Sequence, residues 1–218
     1  MQGSLAQRAY ASLRQAILDL TLRPGEIIRK GEVCAALGVS RSPVSEALAR
    51  LAAEALVDVV PQAGTFVARL SMDEVREGAF LREALELHAV EEVARAATAE
   101  QVEALRRGLA LQEALVAAGE AGSFYEEDAR MHEAILGMTG HRRLPALSRS
   151  AWVHVDRARR LVLPSPGRVA ETLAEHRAIV EAIAAHDPGA AREAVRRHLR
   201  QLATRLEALA EERPELFG

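Results

Sequence analysis

The apolar positions of the first seventy residues follow a helical period through three short segments and then give way to strand-like runs. Residues 5–20 are spaced as a helix, which the turn signal at Pro24 separates from a second helix over residues 31–37. Gly38 is placed to end that helix, and residues 40–43 open a third one. The pattern therefore predicts three helices before any strand.

Two strands, over residues 56–60 and 65–67, are predicted on either side of a turn at residues 61–64. Two short helices joined by a tight glycine turn and followed by a hairpin form a winged helix-turn-helix. In that arrangement the third helix enters the major groove of DNA, with its N-terminal residues nearest the bases. A small helical domain with ordinary caps and turns is the alternative interpretation.

From residue 71 onward one helical segment follows another, and glycine or proline marks most of the breaks. The predicted helices cover residues 72–97, 98–118, 123–137, 143–163, 168–186 and 188–209, with the fourth stopped by residues 164–167. We expect a mainly α protein of two domains. A winged helix-turn-helix occupies residues 1–70, and an all-α antiparallel helical bundle occupies residues 71–213.

Composition agrees with helices and narrows the class of protein. Aromatic residues are only 3% of the 218 residues, which removes most of the usual strand formers. The single cysteine, Cys34, excludes a disulfide framework and a cysteine-based zinc site. We find no membrane span and no signal peptide, so a cytoplasmic protein with no membrane partner is expected.

Charge is distributed unevenly between the two predicted domains. Residues 1–69 carry 8 basic and 6 acidic side chains, whereas residues 70–218 carry 20 basic and 25 acidic ones. A mildly basic domain joined to an acidic one is typical of a module that contacts nucleic acid attached to one that does not.

Polar side chains lie on the face of the third helix opposite its apolar stripe. The candidate DNA contacts from this face are Arg41, Ser42 and Ser45. The guanidinium of Arg41 can bind a guanine edge or a phosphate, and the two hydroxyls can reach phosphates or bases. Gly64, at the tip of the hairpin, allows close approach of the backbone to DNA.

The run from Leu37 to Leu48, together with residues 56–57 and 61–67, resembles the GntR family of bacterial transcription regulators. The resemblance implies a DNA-binding head followed by a ligand-sensing C-terminal domain. Family members usually carry arginine where this chain has Ser45, and often where it has Ala49 and Ala63, whereas Arg50 is retained as a DNA contact. Fewer cations predict weaker phosphate contacts and a shifted operator preference.

Four side chains in the second domain have the spacing of a metal site. Asp128 and His132 are four residues apart, so both project from one face of a helix. His176 and His198 each lie eleven residues from Asp187, at the centre of a turn, which places both at about 16 Å from that turn in an antiparallel hairpin. Three imidazoles and one carboxylate suit Zn, Ni, Mn or Fe. Buried histidines with satisfied hydrogen bonds are the alternative.

The pattern Arg82-x-x-Leu85-Glu86, with Asp128-x-x-x-His132 and the two later histidines, resembles the FCD domain of the FadR subfamily of these regulators. The resemblance implies that the aspartate and three histidines bind a divalent metal, that a small carboxylate completes its coordination, and that Arg82 holds the carboxylate. Two positions depart from the family: Met131 replaces a usual phenylalanine, and His141 replaces a usual asparagine.

Apolar residues surround Arg82, which makes an effector contact physically reasonable. A buried guanidinium needs an anion, and a carboxylate fits its two-pronged geometry. A surface ion pair with Glu86, four residues later, is the alternative. His154 lies near Trp152 in a body helix and is a second candidate for the effector pocket.

These features favour a homodimeric transcription regulator whose affinity for double-stranded operator DNA is controlled by a small carboxylic acid bound at the metal. The resemblance implies a repressor, the commoner mode of such regulators, whereas the residues themselves fix no sign. One competing hypothesis is a metalloenzyme that uses the same three-His, one-Asp site to activate water. The chain offers no Glu-x-x-His pair for a di-iron centre and no carboxylate in the His-Glu-x-x-His spacing of a catalytic base, so we expect no enzyme. A dimerising DNA-binding protein without an effector is the third hypothesis.

Overall fold

The computed structural model describes residues 4–162 and 167–218. The described chain forms two compact units. One, the head, runs to Met72 and includes the C-terminal segment Glu212–Gly218, and the other, the body, spans Asp73–Glu211. The head thus contains residues from both ends of the sequence.

The head contains three helices, α1 (Leu5–Leu18), α2 (Lys30–Leu37) and α3 (Arg41–Ala53). Helices α1 and α3 supply its buried apolar side chains. Helix α1 ends two residues earlier than predicted, because Leu20 adopts a positive φ of 64°. Gly38 ends α2 in the left-handed conformation expected of it. The predicted stripe of α3 is fully buried and comprises Val44, Ala47, Leu48 and Leu51.

The wing is an antiparallel hairpin of β1 (Val57–Val60) and β2 (Gly64–Val67). Its first pair is Val57 with Val67, and its last is Val60 with Gly64. Gly64 has a φ of +135°, and a Cβ there would lie 3.4 Å from Cδ1 of Ile27. The backbone at this position therefore favours glycine. Helices followed by this hairpin confirm the predicted winged helix-turn-helix.

The C-terminal segment adds a short pairing to the head that sequence analysis did not predict. After a 3₁₀ turn at Pro214–Leu216, the amide of Leu70 donates to the carbonyl of Leu216 at 3.0 Å. The amide of Gly218 donates to the carbonyl of Leu70, also at 3.0 Å. Phe217 therefore bridges Leu70 in parallel orientation. These residues fall after the predicted end of the second domain at residue 213.

The body consists of helices, as predicted. They are α4 (Met72–Ala96), α5 (Ala99–Ala118), α6 (Ala121–Met138), α7 (Leu144–Ala151), α8 (Val153–Val162), α9 (Arg168–Ala184) and α10 (Pro188–Glu212). Thr98 begins α5 with a reciprocal capping box to Gln101. The apolar core lies between α4, α5, α6, α9 and α10 and contains Val90, Phe124, Ile179, Ile183 and Val195.

One body helix differs from its prediction. The segment expected to be continuous over residues 143–163 is interrupted at Trp152, which separates α7 from α8. The indole packs inward with Ala89 and Leu136. This large ring is buried at an interruption that helical periodicity does not show. The predicted stop at residues 164–166 lies outside the described residues.

Candidate functional site

The four predicted metal ligands converge in the body. Asp128 and His132 project from α6, His176 from α9 and His198 from α10. All four are buried, and one ligand atom from each lies within 4.8 Å of all the others. The helical spacing of the first pair and the hairpin symmetry of the second therefore produce the expected cluster.

Each histidine of this cluster has its Nδ1 atom held by an oxygen. The Nδ1 of His132 donates to Glu86 at 2.5 Å, that of His176 to Gln112 at 2.7 Å, and that of His198 to Glu175 at 2.7 Å. An oxygen acceptor at Nδ1 holds the ring proton of a neutral imidazole there and leaves Nε2 with a lone pair. All three rings are thereby oriented with Nε2 towards the cluster.

The Nε2 atoms of the three histidines and Oδ1 of Asp128 face one another and carry no proton that could form a hydrogen bond between them. Nε2 of His132 lies 3.1 Å from Nε2 of His198, and Nε2 of His176 lies 3.2 Å from Oδ1 of Asp128. The Nε2 of His176 is buried and has no hydrogen-bond partner within the described parts of the chain. Such close lone pairs repel one another, whereas a cation between them would bond to all four. The residues therefore fit a divalent transition metal, with nitrogen and oxygen ligands suited to Zn, Ni, Mn or Fe.

The protonation states favour the same chemistry. Burial lowers the pKa of His132, and it lowers the pKa values of His176 and His198 well below the ordinary range. These imidazoles are therefore neutral at neutral pH, as metal ligation requires. Burial is the largest single influence on Glu86 and by itself would raise its pKa. The charge of Arg82 and the contacts with His132 together outweigh burial, lower the pKa and keep this partner of His132 ionised.

Several groups around the cluster were missed by sequence analysis. Arg159 on α8 donates to Oδ2 of Asp128 and, at 3.1 Å, to the carbonyl of Tyr125. Arg168 binds both oxygens of Glu175, at 2.8 and 3.0 Å. Glu175 has one local signal, since it directly precedes a ligand, whereas Gln112 and Arg159 stand in segments with no sequence motif.

A small cavity, of about 20 Å³, opens onto the cluster. Its lining is rich in cationic side chains and consists of Arg82, Asp128, Arg159, Arg168, Thr172, His198, Leu199 and Leu202. An anion small enough to enter would meet three guanidinium groups as well as the face of the cluster.

Arg82 is the predicted effector contact, and the structure places it on this cavity. Its side chain is 5% exposed, its Nε donates to Glu86 at 2.5 Å, and its guanidinium lies 4.6 Å from the centre of the Trp152 ring. In the described part of the chain, no hydrogen bond is made by its two terminal nitrogens. They are free to donate to a carboxylate in the cavity.

His154 was the second predicted effector contact, and the structure does not bring it to the cavity. Its Nε2 lies 3.8 Å from Oε2 of Glu74, and it is absent from the lining. The neighbouring Trp152 is the residue that approaches the site, with its ring centre 6.0 Å from that of His132. Trp152 and His154 are two residues apart, which on an α-helix turns one side chain by about 200° from the other and accounts for the difference.

The head presents most of the predicted DNA contacts to solvent. Arg41, Ser42 and Ser45 are exposed at the N-terminal end of α3. Arg50 instead packs against α1, where it donates to Gln7 at 2.8 Å and covers the Tyr10 ring at 3.8 Å. Gly64 begins β2, directly after the exposed turn of the wing.

Across the described residues, no helix has the combination of length and apolar composition that crossing a membrane requires.

Comparison with known sequences identifies both parts of the chain. Residues 5–67 match the family described as bacterial regulatory proteins of the gntR family, and residues 77–201 match the FCD domain. An uncharacterised HTH-type transcriptional regulator in an unstable DNA locus of Streptomyces ambofaciens is 37% identical over 96% of this chain and 88% of its own length. The HTH-type transcriptional repressor RspR of Escherichia coli is 27% identical over 97% of this chain and 93% of its own.

Solved structures share the fold. A GntR transcriptional regulator from Rhodococcus sp. RHA1 superposes with a TM-score of 0.79 at 24% identity, covering 93% of this chain and 97% of that one. McbR/YncC of Escherichia coli superposes with a TM-score of 0.80 at 21% identity, covering 95% and 99% of the two chains.

Proposed function

This chain belongs to the GntR family of bacterial transcription regulators and carries an FCD domain, and we propose that it is a repressor controlled by a metal-bound carboxylate. It is a regulator rather than an enzyme, which sets aside the metalloenzyme hypothesis. The repressing sign is supported by relatives such as RspR, which is named a repressor.

The observation that carries the proposal is the set of unprotonated ligand atoms below the cavity. Asp128, His132, His176 and His198 would hold the metal, and Glu86, Gln112 and Glu175 keep the imidazoles oriented towards it. A bound divalent cation would supply a Lewis-acidic centre for one carboxylate oxygen of the effector. Arg82 would donate its terminal nitrogens to the other oxygen.

Operator binding is assigned to the head. Arg41, Ser42, Ser45 and Arg50 would contact the major groove or its phosphates, and the backbone at Gly64 would approach the adjacent backbone of the DNA. We propose a homodimer, because a pseudo-palindromic operator needs two heads related by twofold symmetry. The effector would bind one arrangement of the dimer more tightly, and operator affinity would change by the same coupling free energy.

The test begins with metal content. Purified full-length protein should contain about one transition-metal ion per chain by elemental analysis. Chelation should abolish the binding of acetate, lactate and other small acids, measured by the fluorescence of Trp152, the only tryptophan in the chain. A protein that binds no divalent metal would refute the metal and the effector together and leave the third hypothesis, a dimeric DNA reader without an effector.

Substitution of Arg82 tests effector binding independently of DNA binding. With an operator selected from random duplexes, Arg82→Ala should remove the response to acid while effector-free operator affinity stays unchanged, because Arg82 lies in the body. Arg106→Ala, an exposed arginine on α5, is the matched control and should respond normally. An Arg82→Ala protein that responds as the parent does would place the carboxylate contact elsewhere.

A further inference from the structure

A second cavity, of about 210 Å³, follows the facing surfaces of α4 and α10. The two helices run antiparallel, since Glu83 binds Arg200 at 2.8 Å and Arg76 binds Glu207 at 3.6 Å. The seven residues between these pairs on α4 correspond to about 10 Å, or two helical turns. We call this space the α4–α10 groove.

The walls of the α4–α10 groove are mainly apolar. Its apolar lining residues are Val75, Ala79, Phe80, Val155, Leu199, Leu202, Ala203 and Leu206. Two of these, Ala79 and Ala203, are small, so the facing helices leave the space between them unfilled. At the rim, the aromatic ring of Phe80 is largely exposed.

The α4–α10 groove shares part of its lining with the cavity at the metal cluster. Arg82, Leu199 and Leu202 line both spaces. On α10, Leu199 directly follows the ligand His198, and Leu202 lies one turn beyond it. A molecule whose carboxylate reaches Arg82 therefore lies beside the apolar side chains of the groove.

We propose that the α4–α10 groove receives the apolar tail of the effector, which makes the effector a monocarboxylate with an aliphatic or aromatic chain. This inference rests on the proposed function, because Arg82 and the metal hold the carboxylate. The charged side chains on the groove, Glu83 and Arg200, pair with each other, so they offer no unpaired cation to a second carboxylate. A dicarboxylate would bury its second anion against leucine and valine, at a cost in affinity.

The first test measures affinity against chain length. Full-length metal-loaded protein is titrated with acetate, butyrate, hexanoate and octanoate, and with suberate, the eight-carbon dicarboxylate, by calorimetry and Trp152 fluorescence. Each methylene buried in the groove should tighten binding by up to about fourfold. Suberate should bind at least roughly tenfold more weakly than octanoate.

A variant that fills the groove tests whether the gain in affinity with chain length arises there. Ala203→Leu should remove the gain from hexanoate to octanoate while acetate affinity and metal content stay unchanged. Ala208→Leu, on an exposed position of the same helix, is the matched control and should keep the full chain-length dependence. If octanoate still bound more tightly than hexanoate to Ala203→Leu, the tail would lie outside the groove and the inference would be overturned.

The outcomes also separate this inference from the proposed function. Metal-dependent acetate binding with no gain from longer chains would overturn the groove assignment and leave the metal-bound carboxylate intact. Failure of every acid to bind the metal-loaded protein would overturn both. A second copy of the chain could cover the groove instead. In that case Ala203→Leu would weaken dimerisation in sedimentation experiments, and affinity would not change with the chain length of the acid. This result would also count against the inference.

Discussion

The head and the body handle polar side chains in opposite ways. Among the described residues of the head, Thr65 is the one buried polar side chain, and the candidate DNA contacts at the start of α3 are exposed. The body instead buries arginines, carboxylates, an amide and imidazoles around one cluster. Since buried polar groups must be paired, the body depends on its internal partners in a way that the head does not.

This difference predicts where function and stability are coupled. An exposed side chain in the head can be removed without disturbing the apolar core, so substitutions there should change DNA affinity alone. Under the proposed function, a side chain of the cluster would contribute to metal binding as well as to the packing of several helices, so substitutions there should change both.

Metal removal should have the largest effect, and it should fall on the body. At a free metal concentration of about 1,000 times the dissociation constant, binding adds about 4 kcal/mol to the free energy of unfolding. Calorimetry with and without chelator should therefore show a large fall in the unfolding temperature of the body. His198→Ala should abolish this metal-dependent gain.

The control for that experiment is His141→Ala, because His141 is exposed and lies outside the cluster. It should keep the full stabilisation by metal. If His141→Ala lost as much of the stabilisation by metal as His198→Ala does, the stability of the body would not depend on the cluster.

A partner of the cluster should have the next largest effect. Glu175→Gln retains the shape of the side chain but removes the charge that holds Nδ1 of His198, so metal affinity should fall about 10- to 100-fold. Competition with a coloured chelator measures this change. Glu171→Gln, one turn earlier on α9 and exposed to solvent, should retain the affinity of the parent, and similar losses in both would refute the positioning role.

The head should show the smallest change in stability. Arg41→Ala should cost about 1–3 kcal/mol in operator affinity, measured by fluorescence anisotropy, with no change in the unfolding temperature. Arg106→Ala on the body serves as the matched control for charge. Unchanged operator affinity in Arg41→Ala would mean that α3 is not the recognition helix.

How much could be predicted differs between these regions for a physical reason. The buried stripe of α3, the left-handed Gly38 and the wing depend on neighbours within a few residues, and these predictions are confirmed. The convergence of Asp128, His132, His176 and His198 also follows from helical spacing and from the symmetry of one hairpin. Local geometry was therefore sufficient to pair the candidate ligands two by two, and the packing of α6 against α9 and α10 brings the two pairs together.

The partners of those ligands required the folded chain. Gln112 reaches His176 from α5, and Arg159 reaches Asp128 from α8, across separations along the sequence that carry no periodic signal. The interruption at Trp152 and the placement of His154 away from the cavity likewise depend on which face of α8 meets the core.

The sequence by itself determined the order of helices, the winged head and the four candidate ligands, because each depends on spacing along one helix or across one turn. Only the tertiary structure decided which oxygens orient the imidazoles, which arginines face the cavity and that an apolar groove lies beside it. Those features arise from the packing of helices distant in sequence, and the packing angles are a property of all the contacting side chains together.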